Sequence, residues 1–108
     1  MTHRLFVYGS LQPGGPNAHV LAPLGGQWEA GSVRGRLIKE GWGAELGYPG
    51  LRLDDGGDLV QGQVLTTNSL AEFWEELDSF EGEGYQRQLT RVHLANGESV
   101  EAFVYTLN

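Results

Sequence analysis

Apolar positions along this chain change period from one segment to the next, and those changes delimit its elements. The run "RLFVY" (4–8) is apolar almost without interruption and is closed by Gly9, which predicts a central strand. A second strand, long and bent, is expected in "QWEAGSVRGRLIKE", where Gly31 and Gly35 suit bulges or close backbone approach. In "DLVQGQVLTT" (58–67), Leu59, Gln61, Gln63 and Leu65 face one way and Val60, Gly62, Val64 and Thr66 the other. Two further strands, "YQRQLTRVHL" and "ESVEAFVYTL", flank "ANGE", whose Asn-Gly pair is a strong hairpin signal. The turn-rich stretch 41–57 leaves room for short strands around 44–46 and 51–53, with "DDGG" as a turn.

Helical period governs only one long segment, "SLAEFWEELDSFEG" (69–82). Leu70, Phe73, Trp74, Leu77 and Phe80 fall on one face, and Glu72, Glu75, Glu76 and Ser79 on another. Ser69 with Glu72 forms a capping-box pattern, and Gly82 or Gly84 is placed to stop the helix. A shorter helix is expected in "NAHVLAPL", capped by Asn17 and ended or distorted by Pro23. One good helix among six or seven strands predicts an α+β fold. Its expected form is a small, mostly antiparallel β-barrel with helical segments against it.

Composition narrows the class. A length of 108 residues fits one domain, residues 1–108, without repeat or linker. Seventeen glycines, scattered without period, imply many tight turns. With no cysteine there is no disulfide, thiol nucleophile or thiolate metal site, as suits a cytoplasmic chain. A formal charge of −7 with dispersed Lys and Arg argues against nucleic acid as a partner. No run approaches a membrane span, and the apolar start is too short for a signal peptide. His3, His19 and His93 have no metal-ligand spacing, so no metal is expected. His3 is expected in solvent, while His19 either lines a pocket or sits on a helix surface. Trp28, Trp42 and Trp74 read as core or pocket wall.

The candidate chemistry begins where the helix ends, in "DSFEGEGYQR" (78–87). Glu81 lies four residues beyond Leu77 and seven beyond Trp74, at the edge of the apolar face. A carboxylate there must be paired, hydrogen-bonded or protonated, and partial burial would suit it to carry a proton at neutral pH. The pattern equally allows a frayed last turn with Glu81 in solvent, or a pair with Arg87. Asp78, three residues earlier, reads as structural. Tyr85 and Arg87 share a strand face and can reach the same region as donor and carboxylate anchor. Tyr105 carries the same two readings, pocket or plain packing. A second candidate is "VYGSLQPG", a strand ending in a Gly-Ser turn able to present consecutive N–H groups to an anion. It lacks the phosphate-loop lysine and the nucleophile-elbow glycine pattern, and a plain turn is the alternative.

Taken together, "YGSLQPGGPNAHVL", "GYPGL", "LVQGQVLTT" and "LDSFEGEGYQR" resemble the gamma-glutamylcyclotransferase-like family, with its AIG2-like and YtfP-like members. Order and spacing agree over nearly the whole chain, although Ser10 stands where many relatives carry Thr. The resemblance implies a small β-barrel flanked by helices, with Glu81 as the catalytic acid/base. It implies that Tyr8, Gly9, Ser10 and Leu11 form part of the substrate pocket and its oxyanion-binding backbone. Tyr85 and Arg87 match the Tyr-x-Arg that follows the family glutamate, and Tyr105 matches an aromatic position of the last strand. The implied substrate is a γ-glutamyl amide, cyclised to 5-oxoproline with release of an amine, without cofactor or metal. A non-catalytic member that binds a small molecule in the same pocket is the alternative. The oligomeric state expected is monomer or weak homodimer.

Overall fold

The apolar run at 4–8 folds as β1 (His3–Val7), and both of its faces are covered. Leu5 and Val7 point to one side and Phe6 to the other, and all three are buried. The computed structural model describes residues 3–39 and 49–107. After β1 come β2 (Gln27–Ile38), β3 (Gly50–Leu53), β4 (Asp58–Thr67), the helix α1 (Trp74–Glu81), β5 (Tyr85–Leu94) and β6 (Ser99–Leu107). The strands lie in the order β3-β2-β4-β1-β6-β5, and a further β2–β5 pairing closes the sheet into a barrel. Every pairing is antiparallel except that of β1 with β6. The expected α+β barrel is therefore present, with one parallel seam.

Two apolar layers follow from strand alternation. Phe6, Val33, Val64, Val92 and Val104 fill the barrel interior. On its outer side Leu5, Leu65, Leu70 and Leu77 form a second cluster, joined by Trp28, Trp74 and Phe103, that glues the helical segments to the sheet. β4 serves both layers: Val60, Gly62 and Val64 face inward, Leu65 lies under the helical segments, and Leu59 is half exposed. Closure is tight where Gly31 of β2 pairs with both Gly62 and Leu94. A Cβ on Gly31 would lie 2.9 Å from Val92, and one on Gly62 only 2.3 Å from the Val7 carbonyl oxygen. The hairpin expected at Asn96-Gly97 joins β5 to β6, its Asn96 Oδ1 accepting the Glu98 N–H at 2.9 Å.

Three local expectations change. The helix expected over 69–82 is a 3-10 turn, Leu70–Glu72, followed by α1 of eight residues. Its capping box does not form, because Ser69 already has helical dihedrals and its N–H donates to Thr67 Oγ1 at 3.3 Å. The helix expected at "NAHVLAPL" is two 3-10 turns, Ala18–Val20 and Ala22–Leu24, with Pro23 inside the second. Asn17 makes no side-chain cap there. His3 is not in solvent: its ring lies 6.3 Å from that of Trp74 and 6.4 Å from that of Phe103. The strand expected around 44–46 and Trp42 lie outside the described residues, whereas that at 51–53 is part of β3.

Candidate functional site

At one mouth of the barrel the end of β1, the last residue of α1 and the starts of β3 and β5 converge on a partly open cavity of about 40 Å³. That is room for roughly three waters, enough to seat a small polar head group. One wall is the loop Tyr8-Gly9-Ser10-Leu11, and the opposite wall is made by Glu81, Tyr85 and Tyr105, with Pro49 between them. Seven of the eight site residues nominated from sequence thus share one space. Arg87 sits outside it, in a wider groove of about 690 Å³ that also touches Tyr85 and Tyr105.

The loop is held by its own polar groups. Gln12 donates its N–H to the Gly9 carbonyl at 3.2 Å, and Asn17 donates its N–H to the Ser10 carbonyl at 2.9 Å. The Asn17 amide also donates to Ser10 Oγ at 3.0 Å, so Asn17 clamps the loop instead of capping a helix. These bonds engage the carbonyls of Gly9 and Ser10, and among the described residues no turn bond uses the Ser10 or Leu11 N–H. The Ser10 hydroxyl faces Asn17 and is buried, which favours the structural reading of that side chain.

Tyr8 ties three strands together. Its hydroxyl donates to the Tyr105 carbonyl at 2.8 Å and accepts the Leu51 N–H at 3.0 Å. Burial raises its phenol above the ordinary range, the Leu51 N–H opposes this, and the Glu81 carboxylate adds to it. A phenol so placed stays neutral and acts as a fixed wall.

Among the described residues, Glu81 is the carboxylate of this cavity. Burial pushes it up from 4.5 to about 7, since desolvation penalises the charged form. A carboxyl raised that far changes charge near neutrality, and the structure places it, as its edge-of-face position in the sequence allows, in a cavity rather than among the exposed glutamates of α1. α1 delivers it there because Leu77, one turn earlier, is fully buried, and because Gly82, with φ 83°, ends the helix immediately afterwards. Gly82 returns its N–H to the Asp78 carbonyl at 3.0 Å.

Behind Glu81 lies an arrangement the sequence did not disclose. The Tyr105 hydroxyl donates to Asp78 Oδ1 at 2.7 Å across 27 positions of sequence. Arg87 forms an ion pair with the same oxygen at 3.7 Å, too long for a hydrogen bond, and stacks 4.4 Å over the Trp74 ring. Burial first, then the Asp78 carboxylate, raises the Tyr105 phenol above its ordinary range. His19 and His93 are exposed and away from the cavity. Among the described residues no group of three or more His, Asp or Glu side chains converges to hold a metal, and no helix is long and apolar enough to cross a membrane.

The family model described as gamma-glutamyl cyclotransferase, AIG2-like, matches residues 5–108. The chain belongs to that family. Among solved structures, YkqA from Bacillus subtilis superposes with a TM-score of 0.76 at 28% identity, over 100% of this chain and 36% of that one. The chain thus spans about a third of the length of the Bacillus protein. An AIG2-like protein from Mus musculus gives 0.74 at 26% identity over 97% of this chain and 76% of its own. A solution structure from Arabidopsis thaliana gives 0.74 at 28% identity, over 99% and 62%. No curated protein matches at a significant level. The matched residues include all four of "YGSL" and the Glu81 of "LDSFEG", which line this cavity together.

Proposed function

We propose that this AIG2-like protein is a γ-glutamyl cyclotransferase-type enzyme. It acts on a γ-glutamyl amide and yields 5-oxoproline and a free amine. The observation that carries the reading is Glu81, a carboxyl raised to about 7, in the same small cavity as the Tyr8–Leu11 loop. The reaction needs one group that removes a proton and later returns it, and a carboxyl titrating near neutrality serves both steps.

Glu81 as carboxylate takes a proton from the substrate's α-amino group, freeing its lone pair. The nitrogen attacks the γ-carbonyl carbon and closes a five-membered ring, and the carbonyl oxygen becomes an oxyanion facing the Ser10 and Leu11 N–H groups. The bond to the departing nitrogen then breaks as Glu81 delivers the proton to it, and the ring nitrogen passes its second proton to the released amine, which leaves as ammonium. Bonds and protons balance without a cofactor or a covalent enzyme intermediate. The reacting end of the glutamyl head would enter the cavity, and the groove sharing Tyr85 and Tyr105 offers room for the rest of the substrate. Tyr8 and Tyr105, held neutral by burial, shape the head's seat without competing for its proton.

A panel of γ-glutamyl dipeptides and γ-glutamyl amines, assayed for 5-oxoproline, tests this. We expect turnover of at least one class and a loss of about 10²–10⁴-fold in kcat for Glu81→Gln with the fold intact. Binding of panel members without any 5-oxoproline release would instead establish a non-catalytic binding protein.

A further inference from the structure

The weakest part of the candidate site is the element that carries its proton-transfer group. α1 has eight residues, too few to be stable by itself, and no side-chain hydrogen bond caps its N-terminus. Its one buried residue is Leu77, and Gly82 follows Glu81 directly. Glu81 therefore sits on the last residue of a short helix, after Phe80 and Trp74, which pack against the outer apolar cluster, and its exact placement depends on how that last turn is held.

We propose that Asp78 is the positioning residue for Glu81, acting through Tyr105. The residue grips the end of α1 twice. Its carbonyl accepts the Gly82 N–H at 3.0 Å, which closes the turn containing Glu81. Its carboxylate accepts the Tyr105 hydroxyl at 2.7 Å, which pins that turn to β6. Tyr105 is itself fixed, since it is buried and its carbonyl accepts the Tyr8 hydroxyl at 2.8 Å. The chain Asp78–Tyr105–Tyr8 thus runs from the helix end to the opposite wall, where the Tyr8-Gly9-Ser10-Leu11 loop begins.

Helix electrostatics supports a dedicated role. A carboxylate in the last turn opposes the helix dipole, and α1 has no basic residue there. Asp78 is compensated from outside the helix by Arg87, which Trp74 holds in place by stacking at 4.4 Å. Asp78 faces the outer groove while Glu81, three residues on, faces the cavity, so a hold on Asp78 acts on Glu81 through the backbone of the turn they share.

The inference rests on the proposed activity for its kinetic readout but not for its structural one. Among the described residues, the titratable groups that line the cavity with Glu81 are Tyr8 from β1, Tyr85 from β5 and Tyr105 from β6, with Asp78 and Arg87 acting on Tyr105. Three variants separate the contributions: Asp78→Ala removes the acceptor, Tyr105→Phe removes only the hydroxyl, and Asp78→Asn keeps an acceptor oxygen while losing charge. The Glu81 carboxyl is followed by ¹³C NMR titration without substrate, and kcat, KM and the acid limb of kcat/KM are measured on the best panel substrate.

Asp78→Ala and Tyr105→Phe should let Glu81 move into water and titrate lower, toward the ordinary glutamate range, with kcat down about 10–100-fold and KM little changed. Asp78→Asn should restore most of both. An unchanged Glu81 titration in Tyr105→Phe overturns the proposal, as does an Asp78→Asn variant that behaves like Asp78→Ala. Should Asp78→Ala not fold, Tyr105→Phe decides, because it leaves the ring in place. If no substrate is turned over, the titration still decides the positioning role, while the enzymatic reading falls separately.

Discussion

Glu81 is held in a place that favours its neutral form, and the fold must bear that cost whenever the side chain ionises. With a folded value of about 7 against an ordinary 4.5, the sign follows directly. Below the unfolded value the carboxyl is protonated in both states and contributes nothing. As pH rises toward and through the folded value, the unfolded chain releases its proton first and stability is lost. Glu81→Gln has no such dependence, so it should be more stable than the parent above about pH 7, by about 1–3 kcal/mol. The difference should vanish near pH 4, and urea denaturation at the two pH values measures it. On the proposed activity, the same titration should appear as an acid limb near pH 7 in the kcat/KM profile of the parent protein, since the proposed base must be ionised to act.

At the scale of elements, what was legible depended on whether a local period fixes the answer. β1 was legible because five consecutive residues needed cover on both faces. The β5–β6 hairpin was legible because Asn96-Gly97 leaves few other turns. The helix was legible in place but not in form: Leu70, Phe73, Trp74 and Leu77 suit a continuous helix as well as a 3-10 turn followed by α1. The deciding bond, from Ser69 N–H to Thr67 Oγ1, belongs to the strand end before it. Glu81 showed itself by periodicity, whereas the Asp78–Tyr105 contact could not, since its partner lies on another strand 27 positions away. Gly82 is the punctuation that both readings share. Its φ of 83° and ψ of −177° lie where only glycine is comfortable, although a Cβ there would meet nothing within 4 Å. Gly82→Ala should therefore cost about 1–3 kcal/mol from backbone strain alone. Gly84→Ala, at a position that is equally open and has no positive φ, should stay within about 0.5 kcal/mol. Paired chemical denaturation curves test the contrast.

The whole molecule is a barrel closed by contacts too close for side chains, and this closure holds the cavity's two walls together. β1 carries the Tyr8–Leu11 loop and pairs directly with β6, which carries Tyr105 and pairs in turn with β5 and its Tyr85. On the other side of β1, β4 and β2 complete the barrel circuit. Gly62 lies at the narrowest part of that circuit. A Cβ there would sit 2.3 Å from the Val7 carbonyl oxygen and 2.6 Å from the Phe6 ring, and the backbone oxygen cannot rotate away as a side chain would. Gly62→Ala must therefore push β4 from β1 or shift Val7, the residue next to Tyr8. The expected loss is larger than for Gly82→Ala, beyond about 3 kcal/mol, with overpacking added to displaced ladder bonds. It should also lower kcat/KM in whatever fraction remains folded, because Tyr8 moves with Val7 and with it the Tyr105 carbonyl it holds. A folded Gly62→Ala variant with full stability and activity would mean that the barrel adapts without disturbing β1, and that the cavity is set locally by the loop and the end of α1.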